Sequence, residues 1–84
     1  MAKKVSMRLD DIAAAPNLAI LRQLPQAGCH QLKLDRAGEW AVSISGNFRI
    51  IFELDHDPIP LKEDGSIDEM LVSNIVITSV EDYH

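Results

Sequence analysis

The chain holds a single cysteine, Cys29, so no disulfide can close within it, and the cytoplasm is the expected compartment. Cys29 itself reads as a small buried thiol. No apolar run approaches the ~20 residues of a membrane span. The opening "MAKKVSMRLDD" has two lysines with no apolar stretch behind them, unlike a secretory leader. There is no glycine-rich phosphate loop and no serine elbow, which argues against P-loop nucleotide hydrolysis and triad acyl transfer. Basic residues are scarce, eight against thirteen acids, for a net charge of −5. An acidic whole argues against tight, indiscriminate nucleic-acid binding. The charges are unevenly spread, however. Seven of the eight basic residues fall within positions 1–50 and nine of the thirteen acids within 51–84. A locally basic face is compatible with that split, because fields act locally.

What is present suits one small domain: 84 residues, 46% hydrophobic and 25% charged. Such a chain buries only roughly 60–65% of its unfolded surface, so its stability margin is thin. Leu9, Ile12 and Ala13 mark a helical stripe that Pro16 interrupts, and Leu18, Leu21 and Leu24 mark a second that Pro25 ends. Helices are expected at about 4–14 and about 17–23. From "CHQLKLD" the period changes to two, with His30, Leu32 and Leu34 on one parity, and "RAGE" reads as a turn. "WAVSISG", "FRIIFEL" and "SNIVITSVEDYH" then read as further strands. The fold class is α+β, with two short N-terminal helices packed on one face of a small antiparallel sheet.

Register decides where the polar side chains of the middle hairpin go. A two-residue Gly46-Asn47 loop would pair Ser45 with Phe48 and set Trp40, Val42 and Ile44 on one face with Arg49 and Glu53. A three-residue loop with a bulge instead sets them opposite Leu54, Phe52 and Ile50 and leaves Arg49 beside Ser43 and Ser45 on the face without helices. The second register keeps the buried face apolar and is the one expected. Residues 55–73 contain Pro58 and Pro60, which exclude a central strand, and form an excursion with a helical turn expected at about 66–71. "DHD" at 55–57 lacks the spacing of a calcium loop or a zinc site and reads as solvated loop.

The chain runs out on "EDYH", and His30 leads the first strand. Each has an ordinary reading: a polar tail, and a strand-edge histidine with one hydrogen bond. Each also has a chemical one. Histidine moves protons near neutral pH, and cations on neighbouring strands hold phosphate and stabilise its transition state. Asp82, Tyr83, His84, His30, Arg49 and Lys33 are together the parts of a phosphoryl-transfer site.

"LPQAGCHQLKLDRAGEWAVSISGNFRIIFEL", followed by the terminal "EDYH", resembles the HigB-type toxins of bacterial toxin–antitoxin pairs. These belong to the RelE/ParE superfamily of plasmid-maintenance killer proteins. The shared pattern is a Leu-Pro before a histidine-led strand, a glycine turn, a "W-x-[IV]-x-[IV]" strand, an "[FWY]-R-[IL]-x-F" strand and a final "DYH". The insertion "DPIPLKEDGSID" is similar to that of one subgroup, and the likeness spans residues 7–84. It implies a ribosome-associated mRNA endoribonuclease, cutting by attack of a 2′-hydroxyl on the adjacent phosphate with no metal or other cofactor. It implies a helix-turn-helix antitoxin of the HigA kind as partner, and no membrane. Matched by position, His30, Asp82, Tyr83 and His84 are implied to be catalytic, and Lys33 and Arg49 to bind RNA phosphate. Relatives carry a strand and helix ahead of "RLDDI" where this chain has few residues. A shortened member is therefore expected to expose a sheet edge, which invites a homodimer or a catalytically weak binding module. Leu34 stands where many relatives have glycine.

Overall fold

Helix α1 (Ala2–Ala14) carries its inward face on Val5, Arg8 and Ile12. That face is rotated from the expected Leu9–Ile12–Ala13 stripe. Leu9 and Ala13 are exposed, and Arg8, 8% exposed, takes the central buried position. The reason is polar. Arg8 Nε donates to the Ser43 carbonyl at 2.7 Å and Nη1 pairs with Asp11 at 2.7 Å, so the buried cation is satisfied on both sides. The computed structural model containing these contacts describes residues 2–82. After Pro16, Asn17 caps helix α2 (Leu18–Gln23) by accepting the Ile20 N–H at 2.9 Å. Leu18 and Leu21 point into the core.

Four strands follow in a simple antiparallel meander, β1 (His30–Gln31), β2 (Glu39–Ser45), β3 (Phe48–Leu54) and β4 (Ile75–Asp82), in spatial order β1-β2-β3-β4. The fold is α+β, with the helices on one face of this sheet. Trp40, Val42, Ile44, Ile50 and Phe52 supply the sheet side of the core, closed by Leu18, Leu21, Ala27, Cys29 and Val72. Trp40 and Phe52 stack with ring centres 6.4 Å apart, and the Arg22 guanidinium lies 5.5 Å from the Trp40 ring centre. Arg22 also pairs with Glu69 at 2.6 Å, tying α2 to the excursion. Among the described residues no helix is long and apolar enough to cross a membrane.

The β2–β3 hairpin corrects the expected register while keeping the expected face. The turn is the tight Gly46-Asn47 pair, with Ser45 opposite Phe48 and Gly46 at φ +54°, a left-handed conformation that glycine adopts without strain. The bulge lies inside β2, where Ile44 is the extra residue between Ser43 and Ser45. Trp40 therefore faces Phe52 and Val42 faces Ile50, one pair along from the expected alignment. Arg49 stands opposite Ser43 on the helix-free face. Displaced by the bulge, Ser45 is reached by Lys4 of α1 at 3.4 Å.

Strand β1 is shorter than the period-two run "HQLKLD" suggested. The Leu32 N–H still bonds to the Glu39 carbonyl, but the chain then enters a 3-10 turn at Leu34–Arg36. Leu34 is not a strand residue. It sits at φ +60° and is 91% exposed. In the excursion, helical geometry is confined to a 3-10 turn at Glu69–Leu71, shorter than expected, and a bridge joins Leu61 to Ile67. His56 is more than solvated loop. Its Nε2 accepts the backbone N–H groups of Ser73 and Asn74 at 3.1 and 3.2 Å, closing the neck of the excursion beside β4.

Candidate functional site

Cross-strand pairing assigns the helix-free face. His30 pairs with Ala41, Ala41 with Ile51, and Ile51 with Ser79, so these four form one row. The next row runs Ser43, Arg49, Glu81. His30 and Arg49 thus share a face, two strands and two residues apart, about 12 Å between their Cα atoms from ordinary strand spacings. His30 is exposed, and its Nδ1 lies 3.0 Å from the Gly28 carbonyl, which fixes the ring on the short strand. Gly28 itself is at φ +52°, and a Cβ there would meet Ser43 Oγ at 3.2 Å. This close approach brings the segment before β1 onto β2, where the Ser43 N–H bonds to the Ala27 carbonyl at 2.6 Å.

Lys33 is exposed and leads into the 3-10 turn in extended geometry, at φ −120°. Asp82 is the last residue of β4 and pairs with Phe48. By strand alternation it points away from the face that holds Glu81 and Arg49. Tyr83 and His84 lie outside the described residues. Of the six residues singled out by the sequence, His30 and Arg49 are brought to one face. Lys33 sits in the turn that follows β1, and Asp82 is directed to the other side.

Three residues that sequence reasoning passed over dominate the same face. Arg36 grips Glu39 through Nε (3.0 Å) and Nη2 (2.9 Å). It grips Glu81 on the far strand through Nη1 (2.8 Å) and Nη2 (2.7 Å). Arg49 Nη2 adds a contact of 3.3 Å to the same Glu81 oxygen that Arg36 Nη1 holds. To reach Glu81 from the β1–β2 turn, Arg36 must lean over β2 and β3. Beneath that span Ala41 and Ile51 are fully buried although they stand outside the helix-side core. The hydrogen bonds from Arg36 hold the Glu81 carboxyl down to about 2, with Arg49 adding to the effect. Glu39 is lowered by the same guanidinium, and Arg36 is raised in return. Arg36 and Glu39 are three apart in "DRAGE", a local signal. Glu81 became a partner only through the β3–β4 register.

On the opposite face Cys29 is inert in character, its thiol pushed up to about 12 chiefly by burial. No family model matches the chain, and no curated protein matches it either.

Proposed function

We propose that the chain is a HigB-like toxin of a type II toxin–antitoxin pair, an mRNA endoribonuclease acting in the cytoplasm on the translating ribosome. The observation that carries the reading is the sharing of one helix-free sheet face by His30 and Arg49, a proton-transfer group and a phosphate-binding cation. In the proposed reaction the RNA 2′-oxygen bonds to the neighbouring phosphorus while the bond to the 5′-oxygen breaks. A base takes the 2′-hydroxyl proton, and an acid delivers one to the departing 5′-oxygen, leaving a 2′,3′-cyclic phosphate and a 5′-hydroxyl. His30 and His84 share the acid and base roles, with Tyr83 completing the set by resemblance, and Asp82, directed to the other side of the sheet, is left out of it. Arg49 and Lys33 offset the charge gathering on the phosphoryl oxygens. A helix-turn-helix antitoxin encoded beside it is the expected silencing partner.

Induced expression tests this. The wild-type chain is expected to arrest growth and to cut translated mRNA at sites mapped by primer extension, and His84→Ala is expected to relieve both. A well-folded, well-expressed wild-type chain that neither slows growth nor cuts ribosome-bound RNA overturns the nuclease reading.

A second reading, a homodimeric or antitoxin-binding module without strong catalysis, is favoured by the edges of the sheet. The β2 edge at Ser43 is closed by Ala27 and by Arg8. The β4 edge is eight residues long, has no charged residue before Glu81, and exposes Val76 (47%), Ile77 (41%) and Val80 (54%). A dimer that survives dilution in sedimentation, and that Ile77→Lys dissociates, supports this reading. A strict monomer with ribonuclease activity removes the homodimeric form of it.

A further inference from the structure

We propose that Arg36 and Arg49 form a binding site for one RNA phosphodiester on the helix-free face, and that Glu81 occupies it as an internal stand-in until substrate displaces it. The inference rests on the ribonuclease reading for the identity of the anion, not for the existence of the site. Two guanidinium groups from distant parts of the chain converge on a single carboxylate oxygen, Glu81 Oε1, at 2.8 and 3.3 Å, and Arg36 forks to Oε2 at 2.7 Å. Planar, paired N–H donors of this kind fit two oxygens of a phosphate as well as two of a carboxylate. A phosphodiester carries the same single negative charge as the carboxylate whose place it takes between the two guanidinium groups.

The arrangement around the pair suits exchange. Glu39 holds Arg36 by two further bonds of 2.9 and 3.0 Å, so Arg36 keeps its orientation when Glu81 leaves. Glu39 is thereby a positioning residue. Glu81 lies on the edge strand, held by backbone pairing on one side. The turn that projects Arg36 begins with Leu34 at φ +60°, a conformation that costs a side-chain-bearing residue energy, on a residue that is 91% exposed. No burial of the leucine offsets that cost. Backbone strain of this kind concentrates where a turn must aim a functional group. An internal carboxylate in the site also fits an acidic chain, because it screens the two arginines from indiscriminate polyanions.

The test compares wild-type protein and Glu81→Gln for binding of inorganic phosphate and of a 2′-O-methyl RNA oligonucleotide, which cannot be cleaved. Freed of its internal competitor, the variant is expected to bind the oligonucleotide about tenfold more tightly, the scale of one charge-assisted hydrogen bond. Inorganic phosphate is expected to bind at the same arginines more weakly, and a preference for free phosphate over RNA would overturn the assignment to a diester. A folded Glu81→Gln protein that binds RNA no more tightly than wild type overturns the proposal. Should that variant unfold, the wild-type protein decides. The Arg36 and Arg49 Nε–H signals and the Glu81 carboxyl carbon are expected to shift together in NMR as oligonucleotide is added. Their standing still while other signals move overturns the site. Tighter binding here, with no cutting of translated mRNA by the wild-type chain in the expression test, retains the phosphate site and removes the nuclease reading. Cleavage without tighter binding does the reverse.

Discussion

Arg8 and Ser43 are joined across the helix–sheet boundary by a single 2.7 Å hydrogen bond, from the guanidinium Nε to the carbonyl beside the β2 bulge. The same serine's N–H bonds to Ala27, so both backbone groups of Ser43 are satisfied from outside the regular ladder. Arg8 is thus what fastens α1 over the end of β2.

Removing that fastening has a cost that can be estimated. Arg8→Ala leaves the Ser43 carbonyl without its charged donor and strips the packing of the arginine stem. The unfolding free energy is expected to fall by about 2 kcal/mol. Urea denaturation measures it, and a loss below a few tenths of a kcal/mol would show that α1 is held by other contacts.

Leu34 offers a change in the opposite direction. A left-handed backbone costs an L-residue about 1–2 kcal/mol, and the extra freedom of unfolded glycine takes back roughly 0.5–1. Leu34→Gly is expected to stabilise the chain by about 0.5–1 kcal/mol, seen as a higher urea midpoint at unchanged slope. Because the leucine side chain is exposed, no packing loss offsets the gain.

The pH dependence has two limbs. Glu81 is held near 2 in the folded chain against 4.5 ordinarily. Its stabilising contribution is therefore complete above about 4.5, is lost as the pH falls toward 2, and is absent from Glu81→Gln. Thermal unfolding from pH 6 down to pH 2 is expected to be steeper in the wild type than in that variant. At the other end, Cys29 sits near 12 against 9.0 unfolded. The unfolded chain gives up that proton first, so stability falls as the pH rises from 9 toward 12. The thiol is expected to ignore thiol-specific reagents at neutral pH until the protein is denatured.

His30 separates chemistry from structure. Its ring is exposed and, among the described residues, makes one hydrogen bond, with the Gly28 carbonyl. His30→Ala is expected to leave the melting temperature within a few degrees of wild type. RNA cleavage is expected to drop by about 100- to 10,000-fold, the range for loss of a general acid or base. Retained cleavage would remove His30 from the reaction.

Much of the architecture was legible in the residue order. Pro16 and Pro25 marked the ends of the helices because proline and its preceding residue cannot continue one. The alternation in "WAVSISG" and "FRIIFEL" assigned strand faces because side chains reverse every residue. A bulge was legible too, though with a three-residue loop in place of the two-residue turn that the structure has. Its position did not follow, because a bulge at Ile44 and a longer loop satisfy the same parity rule. Leu34 misled for a related reason: alternation reads polarity, and the left-handed turn there depends on backbone geometry that polarity does not encode.

Sequence alone determined the class of fold, the extent of the two middle strands, and the side of the sheet on which Arg49 stands. Those outcomes depend on local periodicity and on the need to bury one apolar face. Tertiary structure decided that Arg8 lies in the core, that Arg36 spans the sheet, and that Glu81 fills the space between two arginines. Each of these depends on groups 32 to 45 positions apart meeting within hydrogen-bond distance. Such meetings are set by register and by the path of a turn, and no pattern of neighbouring residues records them.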